Sequence, residues 1–186
     1  MRSIVDLPAA SEHLHYEYSM LIFTADQMQA FVAGGDKRTK DAYLESFTVH
    51  FRCLKDFFFC SYNPEQDDDM LAIDYFDEGV WAKLRKAMPA SFKLRDQVNK
   101  EIVHLSYRRA EVQKHKWEFG QVVRDMNEVL AAFLLNVDHR LLGQWSQSLV
   151  DLSKRQISGH AVAQTGTTLT GTEMTVKQTT FQGRSA

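Results

Sequence analysis

Gln121-Val122-Val123-Arg124-Asp125-Met126-Asn127-Glu128-Val129-Leu130-Ala131-Ala132-Phe133-Leu134-Leu135-Asn136-Val137 decides the fold. Its apolar residues Val122, Val123, Met126, Val129, Leu130, Phe133, Leu134 and Val137 recur at steps of three and four, the period of an amphipathic helix, whereas a half-buried strand would alternate. Beyond it, Leu141, Leu142, Trp145, Leu149 and Leu152 extend the pattern or start a last short helix after Asp138. Before it, the polar Lys114-His115-Lys116 separates it from a helix carrying Leu94, Val98, Ile102 and Leu105 and reaching toward Glu111. A shorter helix precedes, with Leu71, Ile73, Phe76, Val80, Trp81 and Leu84 as its buried residues and Met88-Pro89 as its end. Gly79 weakens it by about 1 kcal/mol relative to alanine.

The N-terminal half repeats the theme. Leu14, Tyr18, Leu21, Ala25, Met28 and Val32 share one helical stripe that Gly34-Gly35 stops. A second helix from about Thr39 to Cys60 has Leu44, Phe47, Phe51, Leu54 and Phe58 on one stripe and Tyr43, His50 and Phe57 on the next, an apolar face wide enough for two partners. The polar run from Ser61 to Asp69 reads as a loop that supplies an N-cap. No alternating pattern of useful length occurs before residue 156. The expectation is therefore an all-α, up-and-down bundle of four long amphipathic helices with one or two short ones.

Residues 1–156 form the bundle domain in this reading. The tail 157–186, with eight threonines between Thr165 and Thr180 and scattered glycines, reads as disordered. A chain of 186 residues with 44% hydrophobic and 25% charged residues has the composition of one globular domain. Nothing approaches the roughly 18 unbroken apolar residues of a membrane span, and Met1–Ala10 lacks the apolar core of a signal peptide. A cytoplasmic protein that avoids membranes is expected. Cys53 and Cys60, separated by about 10 Å of helical rise, cannot form a disulfide and are expected as buried, reduced thiols.

Charge is distributed unevenly. Glu65 to Glu78 contains seven carboxylates and no base, whereas Lys93 to Lys116 contains seven bases against Asp96, Glu101 and Glu111. The two regions are either solvated faces, a self-complementary contact in a homodimer, or, for the basic one, a strip that contacts phosphate. Within the basic segment, His104 lies roughly 120° around the helix from the Leu94, Val98, Ile102 and Leu105 stripe, with Lys100 and Arg108 one turn before and after it. Neighbouring cations favour the neutral imidazole, which can take a 2′-hydroxyl proton while the cations stabilise a phosphorane. The plain alternative is a histidine packed at a helix boundary.

Weaker features lie elsewhere. His13, His15 and Glu17 form an H-x-H-x-E, but alternate residues on a helix point about 200° apart and cannot chelate one metal. His50 flanks the aromatic stripe, and Arg52 and Asp56 make an i, i+4 surface pair able to orient a groove residue. One Glu-x-x-His, Glu101 to His104, is too little for a di-iron bundle. No glycine-rich phosphate loop, G-x-S-x-G or H-E-x-x-H is present. No metal or cofactor is expected.

The segment from Asn99 to Arg109 resembles the active helix of the HEPN superfamily, small all-α bundles found as ribonuclease toxins, antiphage factors or nucleotide-binding partners of nucleotidyltransferases. In that family an arginine and a polar residue precede the histidine, and the pair works across a homodimer interface. Here His104 matches the histidine, Lys100 stands in the polar place, and Asn99 occupies the place of the arginine. Arg95, nine residues before His104, lies on the opposite helix face. The resemblance over this dozen residues implies a HEPN-like module that binds RNA or nucleotide, a degenerate or noncatalytic ribonuclease-type toxin or defence component. His104 is its candidate catalytic residue, and Asn99, Lys100, Tyr107, Arg108 and Arg109 are its candidate contacts. The rival expectation is a non-enzymatic bundle that holds a protein partner through an exposed groove.

Overall fold

The computed structural model describes residues 6–30, 35–66, 68–92 and 118–150. Helix α1 spans Leu7–Ala30 and α2 spans Lys37–Phe59. After them come two single 3₁₀ turns, Pro64–Gln66 and Ala72–Tyr75, the short helix α3 at Val80–Leu84, and a third turn at Ala90–Phe92. Helix α4 is Phe119–Asn136, a turn follows at His139–Leu141, and residues 144–150 are helical (α5). No strand occurs among the described residues, and the molecule is all-α. Among these residues no helix is long and apolar enough to cross a membrane.

The ends of the helices follow from their sequences. Asp6 accepts from Ala9 N at 3.0 Å ahead of α1, and Pro8 sits in the first turn, where no intrahelical N–H is required. Asp36 caps α2 by accepting from Thr39 N at 3.1 Å, and that bond holds its carboxyl below the usual aspartate range. Cys60 leaves the helix with extended backbone while its N–H still reaches Asp56 O.

The stripes meet as expected. Leu14, Leu21, Ala25 and Met28 of α1, Phe47, Phe51, Leu54, Phe57 and Phe58 of α2, and Val122, Met126, Val129, Leu130, Phe133 and Leu134 of α4 are buried together. Phe133 is the centre of an aromatic cluster, with Phe57, Tyr75, Phe76, Trp81 and Phe58 rings 5.4 to 5.8 Å from its own, all steeply inclined to it. Edge-to-face rings of this kind contribute beyond the area they bury. Polar groups at the core's margin find partners. Trp81 Nε1 donates to Phe58 O at 2.9 Å, Tyr75 OH to Leu7 O at 3.1 Å, and Tyr18 OH to Asn127 Oδ1 at 2.8 Å. Desolvation raises the Tyr18 and Tyr75 hydroxyl pKa values accordingly.

Three expectations need correction. The single helix expected from Leu71 to Leu84 is a 3₁₀ turn followed by the short helix α3: the turn ends where Phe76 adopts extended backbone (φ −136°, ψ 158°), and Gly79, at φ +73°, stands at the N-cap of α3. In consequence Ile73, Val80 and Leu84 are exposed, while Leu71 and Trp81 are buried as expected. Cys53 is exposed and Cys60 only half-buried, although both thiols are free. The helix expected around Leu94 to Leu105 and the tail 157–186 lie outside the described residues.

Candidate functional site

The N-terminal half of α1, the C-terminal half of α2 and the loop 61–71 enclose a cavity of about 620 Å³. Its floor is apolar, with Ala10, Leu14, Leu54, Phe57, Met70 and Leu71. Its walls and mouth carry His13 and Glu17 from α1, Arg52, Cys53, Asp56 and Cys60 from α2, and Ser61, Asn63, Asp68 and Asp69 from the loop.

Helical period explains the grouping. His13 and Glu17 are one turn apart on α1, and Cys53, Asp56 and Cys60 are three and four apart on α2. The loop is held in place from several sides. Phe58 O accepts from both Trp81 Nε1 and Arg85, Asn63 Oδ1 caps Glu65 N at 3.1 Å, and Asp74 Oδ2 accepts from Leu71 N at 2.8 Å. Arg85 also lies 5.3 Å from the Phe59 ring centre.

Glu17 joins the helices at the cavity's inner wall. Its Oε2 lies 2.7 Å from Nδ1 of the buried His50, whose ring also meets Tyr16 edge-on at 5.6 Å. Glu17 also neighbours the Cys53 thiol, whose pKa is pushed up to about 11. Desolvation is the larger cause and the Glu17 charge the next. Cys53 is therefore a protonated thiol at neutral pH, the reverse of what an activated nucleophile requires. On the outer wall, Asp56 receives Arg52 Nε at 3.5 Å, the buried Lys55 Nζ at 3.3 Å and the Cys60 thiol at 3.4 Å. The cavity is lined by Glu17, Asp56, Asp68 and Asp69, and the two cations beside them, Arg52 in the lining and the buried Lys55 behind it, both engage Asp56, so carboxylates remain in excess.

The sequence features are redistributed by the fold. His13 and Glu17 face the cavity, whereas His15 stands on another side of α1, its ring 6.0 Å from Trp145. Among the described residues no group of three or more His, Cys, Asp or Glu side chains is placed to hold a metal. Arg52–Asp56 is the i, i+4 pair expected, and it lines a groove. His139, next to Asp138, points back to Leu134 O at 3.1 Å. Asn99, Lys100, His104, Tyr107, Arg108 and Arg109 lie outside the described residues. Sequence reasoning missed the Glu17–His50 pair, which joins residues 33 positions apart, and it read Asp68 and Asp69 as part of a capping loop and of an acidic surface, not as the lining of a cavity. The i, i+4 spacing of His13 and Glu17 was the available signal.

The chain matches no family model, no curated protein and no solved structure.

Proposed function

We infer that this chain is a non-enzymatic helical interaction module whose α1–α2 cleft receives a cationic group from its partner. The observation that carries the reading is the cavity itself, apolar at its floor, with Arg52 and Lys55 both engaged by Asp56 and the carboxylates of Glu17, Asp68 and Asp69 in excess. A phosphate entering it would meet like charge, whereas an ammonium or guanidinium on an aliphatic stem matches both the floor and the walls. The protonated Cys53 and the Glu17 carboxylate engaged by His50 leave the cleft without an activated nucleophile.

Titration with acetyl-arginine amide, whose guanidinium is its only charge, tests the reading by NMR shifts at His13 and its neighbours. Weak, salt-sensitive binding is expected, and Asp68→Asn with Asp69→Asn should weaken it roughly 2- to 30-fold, at ~0.2–1 kcal/mol per exposed pair. Equal binding of a nucleoside monophosphate at the same resonances would overturn it.

A second reading is HEPN-like binding of RNA or nucleotide through Asn99, Lys100, His104, Tyr107, Arg108 and Arg109. It is supported by the seven bases between Lys93 and Lys116. Labelled single-stranded RNA should then bind with affinity that falls steeply with salt. Flat, negligible binding would remove this reading, and equal RNA degradation by wild type and His104→Ala would assign any cleavage to contamination.

A further inference from the structure

The outer side of the α1–α2 hairpin has the composition of a buried surface yet faces solvent. Tyr16, Phe23 and Val49 are 53%, 47% and 55% exposed. Phe23 meets the Tyr43 ring edge-on at 6.0 Å and Tyr16 meets His50 at 5.6 Å, so aromatic groups run along the seam between the helices. On the α2 side the seam continues through Ala42, Ser46, Val49 and Cys53, spaced by three and four, with no charge among them.

Exposed Glu45 flanks the ridge one turn from Ala42 and Val49, and the two ends of the face carry charge of opposite sign. Where α2 begins, Arg38 is exposed on the ridge that leads to Ala42. Lys37 is engaged by Asp41 within the helix, and Lys40 points about 200° away from Arg38. At the other end opens the cleft of Glu17, Asp56, Asp68 and Asp69. With 23 residues, α2 is about 34 Å long. Two helices side by side are about 20 Å wide, which makes the face on the order of 600 Å². That approaches the ~800 Å² per partner of a standard specific interface.

We propose that this face is the contact between two copies of the chain, paired antiparallel about a two-fold axis, with Arg38 of each copy entering the carboxylate cleft of the other. An isologous contact must match the surface to itself, and only the antiparallel arrangement sets the cationic end on the anionic one. A parallel arrangement would oppose Arg38 to Arg38 and cleft to cleft. The inference rests on the cleft's reading as a cation site and names the cation.

Size-exclusion chromatography with light scattering on the full chain tests it. The expected mass is about twice 21.4 kDa. Val49→Asp and Phe23→Asp, both at exposed positions, should each return the monomer mass with the wild-type helix content by circular dichroism. Arg38→Glu and the double variant Asp68→Lys, Asp69→Lys should each fail to dimerise alone, and mixing them should restore a dimer, because every contact in the mixed pair is again of opposite sign. A wild-type chain that stays monomeric at every concentration would overturn the inference. So would a dimer indifferent to Val49→Asp and Phe23→Asp, or a mixture that stays monomeric. Titrating acetyl-arginine amide into the Val49→Asp monomer separates the two readings: binding there with no wild-type dimer sinks only the dimer, and no binding sinks the cleft.

Discussion

Replacing Gly143 with alanine should destabilise this protein more than its position in a connecting segment suggests. A Cβ built there would lie 2.1 Å from Glu12 Oε1 and 2.6 Å from Pro8 O. The close approach exists because α5 is docked onto α1 through a polar clasp. Gly143 N donates to Ser11 Oγ at 2.7 Å, Ser11 Oγ donates to Pro8 O at 2.8 Å, Ser146 Oγ donates to Ser11 O, and Trp145 N donates to the Glu12 carboxylate at 3.1 and 3.2 Å. Glu12 thus caps the start of α5 from another helix. Its flexible carboxylate can swing away from a new methyl group, but it then releases the Trp145 N–H, a cap of about 0.5–2 kcal/mol. The Pro8 carbonyl is backbone and moves only with α1, which adds overpacking strain of about 1–3 kcal/mol. A loss near 3 kcal/mol corresponds to a Tm drop of roughly 6–12 °C for a chain of this size. Thermal unfolding followed by circular dichroism measures it. In the Glu12→Ala background the same substitution should cost less, because one of the two clashes is already gone. A Tm within about 2 °C of wild type for Gly143→Ala would refute the reasoning.

Phe133→Leu should cost about 2–4 kcal/mol in urea unfolding, since five aromatic rings lose their common neighbour; a shift below 1 kcal/mol would show that the cluster repacks. Gly79→Ala, in the left-handed region with open space around its Cβ, should cost about 1 kcal/mol through backbone strain alone, read in the same assay. The Cys53 thiol, held near 11 in the folded chain against an ordinary 9, favours the protonated folded state. Its contribution to stability is complete below about pH 9 and is lost as pH rises toward 11. Glu17→Gln removes the neighbouring charge, so alkylation of Cys53 should begin at lower pH, followed by mass spectrometry in a Cys60→Ser background. An unchanged alkylation profile would contradict the Glu17 assignment.

The long helices were legible because period alone reports them. Leu14, Leu21, Ala25 and Met28, then Phe47, Phe51, Phe57 and Phe58, and Val122, Met126, Val129, Leu130, Phe133 and Leu134 are all buried where their spacing put them, with Tyr18, Leu44 and Val123 half-buried at the margins. Spacing failed at Leu71 to Leu84, where extended backbone at Phe76 and a left-handed Gly79 divide a plausible apolar pattern between a 3₁₀ turn and α3. It failed again for Cys53, which lies on α2 between the buried stripe and the outer face, so its helical position alone left its exposure open.

The site divides along the same line. His13, Glu17, His50, Arg52 and Asp56 each stood out as minor local features, and their types and helical spacings were set by the chain itself. That Glu17 would meet His50 and Cys53, and that Asp68 and Asp69 would close an anionic mouth above Leu14 and Phe57, depended on how α1 and α2 cross and where the loop returns. Period constrains which face of a helix is apolar, because burial acts on each helix separately. The register of one helix against another is decided by side-chain packing between segments distant in sequence, and local patterning contains no term for it.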